Sequence, residues 1–266
     1  MDLELFNFSG RVAVVTGGGT GIGAVTAMQL AQRGADLVLA GRKLEPLENT
    51  AQKIRQETRR RCLVVPTDVT DPEQATKLIE ATIAEYGRID ILINNAGKGS
   101  HRPLRTMAPE IWQKDVNLNL NAAFYCSQAA FPHLKESALK RNGQSAIVNI
   151  SSLAGVHGTL GVGAYSAAKA GLQMFTRVAA AEWGPHSVRV NAVACGMIAT
   201  ELAQAGWAKT GFDAMAAAQN FPLRRPGTPE EIAQTVIFLV SDAASYISGE
   251  ILSVAGGPQL KGMIDI

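Results

Sequence analysis

Tyr165 and Lys169 stand four residues apart in the stretch AYSAAKAG, Ala164 to Gly171. In an α-helix that step turns about 400° and climbs roughly 6 Å, so both side chains share one face. A phenol with an ordinary pKa near 10 is a poor proton shuttle at neutral pH, and a neighbouring ammonium favours its ionised form. The pair therefore predicts a tunable acid/base. The small neighbours Ser166, Ala167, Ala168 and Gly171 would let this helix approach another surface closely. Thirteen residues before Tyr165, Ser152 ends the run NIS-S, where a hydroxyl can hold a carbonyl oxygen and stabilise charge growing on it. Ser151 and Ser152 point to opposite sides of a continuing strand, so only one can face such a site. The other reading for either serine is a strand-end cap.

A second group of residues suits phosphate. RVAVVT runs into TGGGTGIG, Thr16 to Gly23, which opens a helix near Ile22. Glycines permit the tight turn and bring backbone N–H groups close to a pyrophosphate, while the helix N-terminus adds partial positive charge. Gly17, Thr20, Gly21, Ile22 and Gly23 are the contact candidates. Three residues separate Gly17 from Gly21, against one in the common dinucleotide fingerprint. Where an acidic residue would bind an adenosine ribose diol, LAGRKLEPL carries Arg42 and Lys43. Arginine grips phosphate with a fork of donors and lysine adds a point charge, so NADP(H) is expected over NAD(H).

These groups need a scaffold. Seven runs rich in β-branched residues start at Arg11, Ala35, Cys62, Ile89, Ala146, Val188 and Ile251, separated by segments of helical spacing. Nearly continuous apolar runs suit strands covered on both faces. The expected fold is α/β: a single doubly wound Rossmann-type domain over residues 1–266, with a parallel sheet of about seven strands and helices on both faces. Thr228 and Pro229 mark the start of a helix over PEEIAQTVIFLVSD. Residues 200–225 read as one or two short helices carrying Trp207, Phe212, Met215 and Phe221, an apolar cover over the substrate.

Composition excludes several classes. At 266 residues, 47% apolar and 18% charged, the chain is globular, and its net charge of +2 argues against nucleic acid as the main partner. Cys62, Cys126 and Cys195 are scattered, without CxxC spacing or histidine pairs, so no metal site and a reduced, cytoplasmic protein are expected. The start MDLELFNFSGR lacks the basic and apolar regions of a signal peptide. No apolar run approaches about 18 residues, so no membrane span is expected.

TGGGTGIG, NNAG at Asn94 to Gly97, NISS, YSAAK, VRVNAVACG and RRPGTPEEIA occur in an order and spacing that resembles the short-chain dehydrogenase/reductase family over nearly the whole chain. The resemblance implies a catalytic tetrad. Tyr165 would be the acid/base, Lys169 would bind the nicotinamide ribose and lower the phenol pKa, and Ser152 would orient the carbonyl. The fourth member is an asparagine in VNLNLNAAFYCSQ; the family's spacing to a phenylalanine, here Phe124, selects Asn119, with Asn117 the alternative. Asp68 and Val69 would lie near adenine, Asn95, Ala96 and Gly97 beside the adenosine ribose, and Ile198 and Thr200 near the carboxamide. Arg42 matches the position that recognises the 2′-phosphate. Two departures are Cys195, where proline is usual before the glycine, and Ala255, where aspartate is frequent. A small-molecule substrate, apolar or an acyl thioester, and a homotetramer are further implications. The resemblance leaves three readings: carbonyl/alcohol chemistry, an NADPH-dependent enoyl- or dienoyl-CoA reductase similar to peroxisomal enzymes in its AGRKLEPL segment, and an inactive dinucleotide-binding regulator.

Overall fold

A computed structural model of the chain describes residues 3–257. All seven expected strands form, as β1 (Val12–Thr16), β2 (Asp36–Gly41), β3 (Cys62–Pro66), β4 (Ile91–Asn94), β5 (Ser145–Ser152), β6 (Val188–Cys195) and β7 (Ile251–Val254). They pair in parallel in the order β3-β2-β1-β4-β5-β6-β7. The helices are α1 (Gly21–Gln32), α2 (Leu44–Thr58), α3 (Pro72–Tyr86), α4 (Pro109–Val116), α5 (Ala122–Arg141), α6 (Ala154–His157), α7 (Gly163–Trp183), α8 (Glu201–Thr210), α9 (Ala214–Ala218) and α10 (Pro229–Val240).

Alternation along each strand divides the core in two. Ala13, Val15, Leu37, Leu39, Ile91 and Ile93 face α1, α2 and α10, while Val12, Val14, Val38 and Leu92 face α3, α5 and α7. Both faces are covered, which is why the strands read as unbroken apolar runs. The expected cap on α10 is present: the Thr228 hydroxyl accepts from the Glu231 N–H, and the Glu231 carboxylate accepts from the Thr228 N–H at 2.8 Å. Residues 200–225 form two short helices, α8 and α9, as expected.

The chain leaves β1 toward β2 on one side and returns through β4 on the other, so a crevice opens between the carboxyl ends of β1 and β4. Asn95 closes it at the base, its amide donating to the carbonyls of Thr16 at 2.9 Å and Gly17 at 3.1 Å. Gly23 lets α1 sit against this clamp, because a Cβ there would lie 2.3 Å from the Gly17 carbonyl oxygen and 2.5 Å from the Asn95 amide nitrogen. Backbone is the obstacle, so a flexible side chain cannot yield. Gly23→Ala should therefore cost about 2–3 kcal/mol. Thermal unfolding would show a melting temperature lower by roughly 4–10 °C; an unchanged melting curve would contradict the close approach.

Candidate active site

The carboxyl ends of β1, β4, β5 and β6 surround a cleft of about 730 Å³. It begins at Gly17, Thr20, Gly21 and Ile22, passes Asn95, Ala96 and Gly97, and reaches Ser152, Tyr165 and Lys169. Ile198 and Thr200 line the opposite wall.

At the glycine loop, Gly17 and Gly21 take φ values of +65° and +55°, conformations open to glycine. Thr20 caps α1 without a side-chain bond to the first turn, so that turn's N–H groups face the cleft uncapped by Thr20. Such an end suits a pyrophosphate, and Gly17, Thr20, Gly21 and Ile22 border the open cleft there. Gly17 and Gly18 donate to the Ala40 carbonyl at 2.7 and 3.2 Å, which ties the loop to the end of β2. Arg42 and Lys43 follow there, both exposed and without an ion pair among the described residues.

The opposite end of the cleft is held by α7. Small residues let it pack closely: a Cβ on Gly155 of α6 would sit 2.7 Å from the Ala170 nitrogen of α7, and one on Gly171 of α7 would sit 2.9 Å from Leu120. Lys169 is 4% exposed and donates from Nζ to the Ile150 carbonyl at 2.7 Å, while Nζ lies 5.7 Å from the Tyr165 ring centre. Ser151 and Ser152 divide as expected. Ser151 is buried, donating to the Lys169 carbonyl at 3.3 Å and accepting from Gln173 at 3.0 Å. Ser152 lines the cleft beside the phenol, and its hydroxyl also accepts from the Ala154 N–H at 3.1 Å, so the capping and site readings coexist.

The two candidate asparagines occupy different surroundings. Between α4 and α5 the helix widens to a π-turn over Asn117–Asn121, a form that recurs at functional sites. Asn119 is 1% exposed, donating to the carbonyls of Lys98 and Asp115, each at 2.9 Å, and accepting from the Lys98 N–H at 3.2 Å. A Cβ on Gly97 would lie 2.9 Å from its Oδ1 and 3.3 Å from Lys169 Nζ, so these groups adjoin. Asn117 instead bonds Gln113 and Asn121 on the outer side.

Not every expectation is met. Burial pushes the Tyr165 phenol up to about 12, against a lowering by Ser152, so the expected acidification by Lys169 does not govern it. Desolvation also pushes the Lys169 ammonium down to about 8, which weakens the very charge that was to act. Asp68 and Val69 do not line the large cleft. Asp68 accepts from Thr70 through both N–H and hydroxyl, and Val69 lines a small void shared with Asn119 and Lys169. Of the four large apolar residues expected as a cover, Trp207 and Phe221 line the cleft, whereas Phe212 and Met215 are 45% and 56% exposed and do not. Arg225 is engaged with Glu231, holding that carboxylate down to about 2. Cys195 is buried at the cleft floor with its thiol pushed up to about 12. Gly196 donates to the Val254 carbonyl at 3.0 Å and touches Ala255, so this turn is secured without proline. Sequence reasoning missed Gln173, whose amide also donates to the Ser152 carbonyl at 3.0 Å; its position one turn beyond Lys169 was the available signal. Among the described residues no cluster of His, Cys, Asp or Glu is arranged to hold a metal, and no helix is long and apolar enough to cross a membrane.

The lysine makes stability depend on pH. Unfolded, it holds its proton up to its ordinary 10.5; folded, it releases it near 8, so folding becomes more favourable as pH rises across that window. Denaturant unfolding of the wild type minus that of Lys169→Met should gain about 3 kcal/mol between pH 8 and 10.5. A flat difference would show that the ammonium is solvated.

Comparison with known proteins agrees with this architecture. A family profile described as "Enoyl-(Acyl carrier protein) reductase" matches residues 17–259. A cis-4-hydroxycyclohexanecarboxylate dehydrogenase of Sinomonas cyclohexanicum is 41% identical over 251 residues, covering 94% of this chain and 97% of that one. A peroxisomal 2,4-dienoyl-CoA reductase of Danio rerio is 37% identical, covering 97% of this chain and 84% of the relative. The crystal structure of L-sorbose reductase from Gluconobacter frateurii, complexed with NADPH and L-sorbose, superposes with a TM-score of 0.89 at 32% identity, covering 99% of this chain and 100% of that one. Profile, relatives and fold together span nearly the full length, and the chain belongs to the short-chain dehydrogenase/reductase family of hydride-transferring oxidoreductases.

Proposed function

We propose that the protein interconverts a carbonyl and an alcohol on a small molecule with NADP(H), using Tyr165 as the proton-transferring group. The observation that carries this reading is the convergence of Tyr165, Ser152 and Lys169 on one end of the cleft whose other end is the glycine loop. A nicotinamide dinucleotide, when bound, supplies or accepts the hydride. Gly17, Thr20, Gly21, Ile22, Gly23, Asn95, Ala96 and Gly97 are the residues we assign to holding its phosphates and adenosine ribose, with Asp68 and Val69 toward the base. Ile198 and Thr200 are assigned to its carboxamide end, and Arg42 and Lys43 to the 2′-phosphate that distinguishes NADP(H).

The chain's own groups have separable tasks. Ser152 donates to the substrate oxygen and stabilises charge that grows there. Tyr165, raised to about 12, is protonated at neutral pH and supplies that oxygen with a proton, which favours the direction of reduction. Lys169 orients the adjoining ribose and phenol from its seat on the Ile150 carbonyl, and Asn119 holds the Lys98 backbone beside it. Leu202, Trp207 and Phe221 exclude water from the substrate side.

A second reading, reduction of an enoyl or dienoyl thioester, is favoured by the likeness to the Danio rerio enzyme. Oxidation of NADPH against ketones, β-ketoacyl thioesters and enoyl thioesters separates the two: turnover confined to enoyl thioesters would replace the first reading. Tyr165→Phe should lower kcat by about 10²–10⁴-fold while NADPH binding, followed by fluorescence, changes by less than about 3-fold; retained turnover would remove the phenol from the chemistry. Arg42→Ala should weaken NADPH by roughly 10-fold or more and leave NADH nearly unaffected, whereas equal losses for both would reject the 2′-phosphate assignment.

A further inference from the structure

Asp115 is a carboxylate in an unusual place. It lies on α4 near the π-turn, is 3% exposed, and among the described residues forms no ion pair. A buried charge without a cation is costly unless hydrogen bonds compensate it. Its two oxygens accept from Ser100 alone, one from the hydroxyl at 2.8 Å and the other from the backbone N–H at 3.0 Å. Both partners donate, which suits an ionised acceptor.

Ser100 belongs to the loop that leaves β4, and the residue before it touches the phenol. A Cβ on Gly99 would lie 2.9 Å from Tyr165 Cγ and 3.1 Å from Cδ2, so the Gly99 backbone approaches the ring too closely for a side chain to fit between them. The same loop is gripped on either side: Asn119 brackets Lys98, and the Arg102 N–H donates to the Gly161 carbonyl at 2.8 Å. Among the described residues, Asp115 is the side chain that bonds Ser100, the residue next to Gly99.

We propose that Asp115 is a positioning residue for Tyr165: through Ser100 it presses the Gly99 backbone against the phenol ring and fixes the direction in which the hydroxyl points into the cleft. Its negative charge has a second consequence: it adds a smaller push against the phenolate to the larger one from burial. Around the phenol the other titratable groups are Lys169 on the same helix and Cys195 from β6, with Ser152 from β5 as hydrogen-bonding neighbour; His101 and His157 line the cleft farther along. This inference rests on the hydride-transfer reading for its kinetic part and on geometry alone for the anchor.

Four variants of the full chain test it: Asp115→Asn, Asp115→Ala, Ser100→Ala and Tyr165→Phe as the inactive reference. Amide hydrogen exchange on the protein alone reads the anchor. Exchange at Ser100 should rise about 10-fold or more in Asp115→Ala, and stay within about 3-fold of wild type in Asp115→Asn, whose carboxamide still accepts the Ser100 N–H. With NADP and the alcohol of whichever pair the wild type turns over, Asp115→Ala and Ser100→Ala should lose about 10-fold or more in kcat at a nearly unchanged KM for the nucleotide. Asp115→Asn should recover most of that loss, and its rise of oxidation kcat with pH should move to lower pH by about half a unit or more, a shift absent from Ser100→Ala. Unchanged exchange or unchanged kcat in Asp115→Ala overturns the positioning role, and an unmoved pH profile in Asp115→Asn overturns the part assigned to charge. A wild type that turns over no substrate would sink the hydride-transfer reading, while the exchange data would still decide the anchor.

Discussion

The seam between α7 and the end of β5 carries the rest of the site. Four side-chain bonds stitch it: Lys169 Nζ to the Ile150 carbonyl, Ser151 to the Lys169 carbonyl, and Gln173 to both the Ser151 hydroxyl and the Ser152 carbonyl. Each joins a helix group to a strand group in a medium of low dielectric, where an unmade hydrogen bond is costly. The seam sets the phenol, the serine hydroxyl and the ammonium relative to one another. Parallel strands make this possible, because β5 and β6 end together and leave their last side chains at one rim.

Inside the sheet the polar groups follow the same rule. Asn94 donates to Asn149 at 2.8 Å and to Ser127 at 2.9 Å, and Asn149 donates in turn to Thr176 at 2.9 Å. This chain of amides links β4, β5, α5 and α7 directly beneath the cleft. The donors of this chain are all engaged, while the Asn94 Oδ1 is buried without a partner among the described residues, and the linked amides form the floor on which Asn95 and Lys169 stand. The upper wall differs: α8 contributes Leu202 and Trp207 to the cleft, and α8 and α9 bury few residues of their own. Weakly buried helices open at lower free-energy cost, so substrate selection and catalytic geometry fall on parts of unequal stability.

The electrostatics of the phenol show why local spacing is an incomplete guide. Four residues of helix put Lys169 on the correct face, yet the same burial that brings it there removes water from both groups. Desolvation acts on the lysine and the tyrosine in opposite directions, raising one and lowering the other, and both shifts favour the neutral pair. Asp115 adds to the effect from a helix far from Tyr165 in the chain. The phenol therefore stays protonated at neutral pH, and any nearby positive charge must overcome burial before it ionises.

Much of the architecture was legible in the chain. Seven runs of β-branched residues announced seven strands because the inner strands are buried on both faces and the edge strands β3 and β7 in part, and the Thr228–Pro229 start of α10 followed from the unsatisfied N–H groups that every helix start must meet. The glycine loop and the Tyr165–Lys169 pair were readable for the same reason: their meaning is contained in a few consecutive dihedral angles. What spacing left open depends on contacts between distant segments. The different placement of Asn119 and Asn117 comes from the π-turn, in which one amide meets Lys98 and the other stays with Gln113 and Asn121. The separation of Trp207 from Phe212, the loop backing behind Tyr165, and the protonation of the phenol were likewise decided by packing. Periodicity determines which groups share a face of one element; only the folded chain determines how much water, and which charge from elsewhere, reaches them.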